Sequence, residues 1–395
     1  MTDAATEPRR SPGRRLIGGL GRGLAWATAA LTILIGLAFF SGPIPLGPAE
    51  DTVSVVAMLV PWLTGTLIVF GLIGIAIAIC AWRVRRRALA TAGILAGISA
   101  SLMCAVPWIA AGRDADVSWG EYFAAAPEAM PDATETYATV DGQDLEVDVY
   151  EPADTGGPAP AIVYVHGGGW SGGSRSESAP WQQWLADQGY AVFSIDYRLA
   201  SPPRWQDAVG DVKCALGWVR ANAAAFGADP ATVSLVGDSA GGHLSMMAAY
   251  TVGDPGFTPS CAVEDAPVAS VSSWFAPTDL TTLAADSDMP ASAEGYLTPF
   301  LGARLDEEPG RYETASPLTH VDAEAPPTMM VQGEADRLVS LDQGAVLARA
   351  LRAAGVPVSE LDLAWSHHGF TGRWGSWGSQ ALRPATLEFL GEYAR

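Results

Sequence analysis

Three long apolar runs fill the first third of the chain. Leu16 to Phe40 contains one charge, Arg22, near its edge, while Val53 to Trp82 and Ala88 to Ala111 contain none. Each is long enough to cross the ~30 Å hydrocarbon core as a helix, which takes about 20 residues. A cleaved signal peptide competes for the first run, but its apolar stretch is too long for one and two further runs follow. The pattern therefore predicts three transmembrane helices over 16–111, behind a tail at 1–15. From Thr134 the period changes. Tyr137–Val140 and Leu145–Tyr150 alternate around Asp141-Gly142, which predicts a hairpin. A Pro/Gly loop, Pro152 to Pro160, follows. Strands are then expected at Ala161–Val165, Tyr190–Asp196, Thr232–Val236, Val268–Phe275, Thr328–Gln332 and Val358–Leu363. Helices are expected at Ala179–Gln188, Trp205–Phe226, His243–Tyr250, Leu341–Ala354 and Ser379–Tyr393. Apolar strands alternating with helices predict an α/β unit over 136–395, a mainly parallel sheet with helices on both faces. The opening hairpin adds an antiparallel edge. Ala284–Tyr312 is polar, contains proline and has poor periodicity, so it reads as an insertion over the site. Residues 112–135 form a junction whose Trp119, Tyr122 and Phe123 read either as an interfacial aromatic anchor or as a cap.

Charge placement adds an orientation. Arg9, Arg10, Arg14 and Arg15 precede the first run, and Arg83, Arg85, Arg86 and Arg87 lie between the second and third. The segment Ser41 to Thr52 has no basic residue and holds Glu50 and Asp51. Basic residues mark cytoplasmic segments, so the tail and the Arg83–Arg87 loop are expected in the cytoplasm and everything after Ala111 outside. Residues 1–111 carry nine arginines against four acids, net +5, within a chain of net charge −20. The remainder is therefore at −25, which excludes nucleic acid as a partner because phosphate contacts need Lys and Arg. No charge lies mid-span, which weakens a sensor or transport role for the bundle. Cys80 and Cys104 fall in the spans. Cys214 and Cys261 would face an oxidising compartment, where they could pair, but sequence leaves their separation open.

The chemistry centres on Gly237-Asp238-Ser239-Ala240-Gly241 between a buried strand and a helix. A serine hydroxyl is a useful nucleophile where a sharp strand-to-helix turn projects it. Gly237 and Gly241 remove the Cβ atoms that would clash there. The helix N-terminus places a positive dipole end beside a developing oxyanion. Ser239 then needs a base, and histidine fits near neutral pH. Of five histidines, His367 and His368 follow the strand Val358–Leu363 at its carboxyl end, where open α/β sheets bind ligands. His320 precedes a strand and reads as structural. No metal-ligand constellation and no nucleotide-type glycine loop appears.

His166-Gly167-Gly168-Gly169-Trp170, Asp196-Tyr197-Arg198-Leu199, the Gly237–Gly242 stretch, Gly333-Glu334-Ala335-Asp336 and His368-Gly369-Phe370 together resemble the hormone-sensitive-lipase-like carboxylesterases of the α/β-hydrolase fold. The resemblance covers roughly residues 135–395 and not the three spans. It implies Ser239 as nucleophile and His368, followed by Gly-Phe, as base. Asp336 is the expected carboxylate, in the order Ser…Asp…His. Glu334 lies too close to its strand end, and Asp362 lies inside a strand. Gly168, Gly169 and Ala240 are the expected oxyanion donors, with His166 bracing their loop. Asp196, Arg198 and Asp238 read as structural. The expected function is a membrane-anchored serine carboxylesterase or lipase that needs no cofactor, with an ester as substrate. The same triad could serve an acyltransferase or an amide hydrolase. A non-catalytic binding module would be signalled by a missing triad member, and here every member is present.

Overall fold

The computed structural model describes residues 26–27, 29–37, 39, 51–52, 54–55, 64–83, 87–153 and 156–394. The expected basic tail, most of the first span and the centre of the Arg83–Arg87 loop lie outside them. The chain divides into two units, Met1–Ile109 and Ala110–Arg395.

The main described elements of the first unit are α1 (Thr64–Arg83) and most of α2 (Arg87–Asp114), whose last turn falls in the second unit. The second expected span, 53–82, is thus described as one continuous helix from Thr64, with Ser54 and Val55 also helical, and the third runs on to Asp114. Small residues bring the two helices together: a Cβ on Gly74 would lie 2.9 Å from the Gly93 carbonyl oxygen, the close approach that glycine allows between apolar helices. Their other faces expose Leu72, Ile75, Ile79, Ile94, Leu95 and Ile98. Among the described residues, Leu89–Arg113 alone is long and apolar enough to cross a membrane, and Leu67–Arg83 is a shorter apolar helix.

The second unit is built on eight strands: β1 (Ala133–Val140), β2 (Gln143–Tyr150), β3 (Ala159–Val165), β4 (Ala191–Ile195), β5 (Ala228–Asp238), β6 (Val271–Trp274), β7 (Thr328–Gly333) and β8 (Val358–Leu363). They form one sheet in the order β1-β2-β4-β3-β5-β6-β7-β8. The hairpin β1–β2 and the β2–β4 pair are antiparallel, and every other pair is parallel. Asp141 and Gly142 turn the hairpin with φ of 53° and 78°, the left-handed pair a tight two-residue turn needs.

The alternation of β3 divides the core. Ala161, Val163 and Val165 face a cluster completed by α5 (Trp205–Asn222), α6 (Ala240–Tyr250) and α10 (Leu341–Ala353). Ile162 and Tyr164 face the opposite cluster, completed by α4 (Ala179–Asp187) and α11 (Trp377–Tyr393). The parallel strands are buried on both faces, which is why they read as near-continuous apolar runs. Cys214 on α5 is bonded to Cys261, with Cα atoms 5.5 Å apart. Beside it, buried Lys213 pairs with Asp265 at 2.9 Å.

The expected insertion Ala284–Tyr312 is largely helical despite its poor periodicity, in α7 (Leu280–Asp286), α8 (Pro290–Leu301) and α9 (Pro309–Thr314). Proline at N1 starts both α8 and α9, where its missing N–H removes no helical bond. Ala293, Leu297, Phe300 and Leu301 are the buried face of α8, at the spacing an amphipathic helix requires. The junction residues do not cap the site. Trp119 and Tyr122, on the short α3 (Trp119–Tyr122), pack on Trp377 with ring centroids 4.8 and 4.3 Å away. Arg373 lies 4.3 Å over the Tyr122 ring, and Ser118 donates its amide to Gln380 at 2.7 Å. These aromatic rings bury themselves against α11 instead.

Candidate active site

Ser239 sits between β5 and α6 with φ 50° and ψ −120°. That left-handed backbone costs a non-glycine residue about 1–3 kcal/mol and persists only where the surroundings impose it. The two glycines show how. A Cβ on Gly237 would stand 2.6 Å from the Gly241 carbonyl carbon, and one on Gly241 would run into the Val165 carbonyl oxygen. With those atoms gone, strand and helix close up and the turn is forced outward.

The structure brings the sequence-nominated triad together. Ser239 Oγ lies 2.8 Å from His368 Nε2, and His368 Nδ1 lies 2.7 Å from Asp336 Oδ2. Oδ1 of Asp336 accepts the Leu338 and Val339 amides, each at 2.9 Å. Both carboxylate oxygens are therefore committed and the anion is fixed. Because Asp336 can only accept when ionised, the Nδ1 proton belongs to His368 and Nε2 faces the serine as acceptor. Burial pulls the His368 pKa down, but the Asp336 carboxylate, helped by that of Asp238, outweighs this and leaves it above the ordinary value. The ring rests edge-on to Phe275, centroids 5.1 Å apart. Phe370 packs on that same Phe275 at 5.0 Å, so its support of His368 is indirect. Gly369, at φ 71°, turns the chain after the histidine.

His367, the neighbour of the base, is buried. Burial lowers its pKa to about 4, with Asp336, Arg337 and the Ala335 backbone around it. Glu334 and Asp362 take no part in the triad contacts. His320 holds the Thr314 carbonyl oxygen at 2.7 Å.

Gly168 and Gly169 line the same cavity as Ser239 and His368. Ala240 opens α6, so its amide is one of the first-turn N–H groups without an intrahelical partner. His166 Nδ1 lies 2.7 Å from the Gly167 carbonyl oxygen, and its ring stacks on Tyr197 at 4.3 Å. Tyr197 donates its hydroxyl to the His166 carbonyl oxygen at 3.1 Å, which places both side chains under the loop. Asp238 is closed in by Tyr164, whose hydroxyl donates to it at 3.1 Å, and burial pushes its carboxyl up to about 6. Asp196 pairs with Arg175, and Arg198 with Asp211 at 2.8 Å.

The cavity over the serine has a volume of about 240 Å³, and its apolar wall includes Leu283, Ala293, Tyr296, Leu338 and Val339. Ala293 and Tyr296 belong to the segment Ala284–Tyr312 that was expected over the site, while Leu283, Leu338 and Val339 were not nominated from sequence. Tyr296 lies against Gly169 where a Cβ would otherwise be.

Residues 147–351, just over half of the chain, match the BD-FAE family. That region contains Ser239 and Asp336 and ends before His368, which only the geometry adds. Among curated proteins the chain is similar to esterase LipQ of Mycobacterium tuberculosis, 32% identical over 58% of this chain and 55% of that protein. It is also similar to carboxylesterase NlhH of the same organism, 32% identical over 62% of this chain and 77% of that protein. The chain thus spans about half the length of the first of these relatives. Among solved structures, a thermophilic esterase from the Planctomycetes species Thermogutta terrifontis matches with a TM-score of 0.55 and 29% identity, over 68% of this chain and 93% of that one. With the mixed sheet, the serine elbow and the matched stretch taken together, the chain belongs to the BD-FAE family and its second unit has the α/β-hydrolase fold.

Proposed function

We propose that the chain is a membrane-anchored serine carboxylesterase acting outside the cytoplasm. The observation that carries the reaction is the Ser239–His368–Asp336 relay, with both hydrogen-bond distances below 3 Å. Ser239 Oγ attacks the ester carbonyl carbon while His368 Nε2 takes its proton. The amides of Gly168, Gly169 and Ala240 hold the resulting oxyanion. Collapse breaks the C–O bond, and His368 returns the proton to the leaving alcohol. A water activated by the same nitrogen then attacks the acyl-enzyme and releases the acid. Asp336 stabilises the imidazolium in both steps.

The cavity volume of about 240 Å³ is below the ~300–1,000 Å³ of sites for drug-sized ligands, which supports short acyl chains. In keeping with this, the Thermogutta terrifontis esterase has a butyrate-bound structure. With p-nitrophenyl esters from acetate to dodecanoate and the full chain in detergent, kcat/KM is expected to be highest at four carbons or fewer. It should fall about 10-fold or more by the octanoate, because overfilling a closed apolar wall forfeits pocket contacts. A maximum at ten carbons or longer refutes the short-chain assignment. Absence of hydrolysis across the whole series refutes the esterase.

Anchoring by the residues before Ala111 is supported by the apolar length of Leu89–Arg113 and Leu67–Arg83 and by the apolar side chains these helices expose. The Cys214–Cys261 bond supports an oxidising compartment for the hydrolase unit. With the arginine placement, this predicts that protease added to intact cells degrades the hydrolase unit and spares the Arg83–Arg87 loop. Cleavage confined to that loop means the topology is inverted.

A further inference from the structure

Three consecutive residues of the loop after β3 have left-handed backbones: Gly168 at φ 109°, Gly169 at 59° and Trp170 at 58°. Glycine adopts such angles freely, but tryptophan does not. The surroundings must therefore hold Trp170 in place, and through it the two glycine amides that precede it. The Trp170 ring stacks on Phe300 of α8, centroids 4.6 Å apart and planes 11° apart. Its carbonyl oxygen accepts the Ala200 amide at 2.7 Å. Its indole Nε1–H donates to His243 Nδ1 at 3.2 Å.

His243 is fully buried, and its other nitrogen, Nε2, lies 2.8 Å from the Ala315 carbonyl oxygen. A carbonyl oxygen can only accept, so Nε2 carries the proton and Nδ1 is left bare for the indole. One neutral tautomer satisfies both contacts. Burial, which lowers the His243 pKa to about 4, keeps the ring in that state. The position of His243 gives the contact its meaning. It is four residues after the nucleophile, on the helix that Ser239 caps, and its amide donates to the Ser239 carbonyl oxygen at 3.0 Å.

We propose that His243 is a positioning residue for the oxyanion site, acting through Trp170. The site has two halves: the Gly168 and Gly169 amides on the loop, and the Ala240 amide on α6. The indole–imidazole hydrogen bond ties the first half to the helix that carries the second. The alternative is a core histidine that only fills space, and the assignment rests on the esterase reading above.

Two substitutions separate the nitrogens. His243→Asn keeps an acceptor where Nδ1 stands and loses the reach to Ala315. His243→Gln keeps a donor where Nε2 stands and loses the acceptor for the indole. With a short p-nitrophenyl ester and the full chain, His243→Gln should lower kcat by about 10- to 100-fold with KM within about 2-fold. That is less than the 10²–10³-fold loss on deleting an oxyanion donor outright. His243→Asn should stay within about 3-fold of wild type. Trp170→Phe, which keeps the stack and removes the N–H, should match His243→Gln. The double variant should be no worse than either single one, since both remove the same bond. Equal losses in the Asn and Gln variants, a change in KM alone, or unchanged kcat in His243→Gln and Trp170→Phe overturns the assignment. If the His243 variants do not fold, Trp170→Phe decides: a kcat loss at constant KM supports the assignment and an unchanged kcat overturns it. Wild-type protein without esterase activity overturns the proposed function and this inference together. Active wild type with an unaffected Trp170→Phe overturns this inference alone.

Discussion

Ser239→Ala is expected to lower ester hydrolysis by at least about 10⁴-fold and to leave the fold intact. The side chain lost is small, and the strained backbone at φ 50° is imposed by the closing of Gly237 on Gly241, which the substitution leaves alone. What remains is the residual rate from substrate binding and the oxyanion amides. The check is turnover of a short p-nitrophenyl ester beside fluorophosphonate labelling. The structurally similar Thermogutta terrifontis esterase has a structure phosphonylated by sarin, which motivates an organophosphorus probe. Wild type should label stoichiometrically and Ser239→Ala not at all. Strong labelling of the variant places the nucleophile elsewhere.

His368→Ala is expected to cost about 10⁴-fold in kcat, because the base between Ser239 and Asp336 disappears. His367→Ala should cost on the order of 10-fold in kcat. Its main effect should fall on stability, about 1–3 kcal/mol, because a buried ring leaves a hole. The adjacent residues thus divide activity from stability, and thermal melts beside kinetics read both. The pH profile gives a second reading. Asp336 favours the imidazolium of His368, so the free enzyme should lose kcat/KM as pH falls through a pKa above the ordinary histidine value of about 6.5. His367, lowered to about 4 by burial, should not contribute to that limb. If His367→Ala is the inactive variant, the base has been misassigned by one residue.

Much of this architecture was written in local pattern. Strand β8 begins and ends where alternation put it, at Val358 and Leu363, and the hairpin turns on Asp141-Gly142 because two left-handed residues must stand there. Ser239 was legible from its strand–turn–helix setting and the histidine pair from its place after a strand end, while the choice of His368 over His367 and of Asp336 came with the resemblance to the esterases. What stayed hidden was set by tertiary contact. Helix α8 carries a helical apolar spacing, but Pro299 inside it and the polar stretch ahead of it hid that spacing. The amides of Leu338 and Val339 that fix Asp336 are backbone groups with no side-chain signature. Trp119 and Tyr122 advertise burial but not what they are buried against, and Trp377 and Arg373 lie some 250 residues away.

The ion pair beneath α5 has a chemical consequence beyond packing. Lys213 is the sole lysine in the chain, and its ammonium is shielded between Asp265 and the Thr251 carbonyl oxygen. Burial also lowers its pKa, which the Asp265 carboxylate opposes. The folded hydrolase unit therefore presents no primary amine to its surroundings. An amine-reactive acylating reagent should therefore find no side-chain amine on the folded unit.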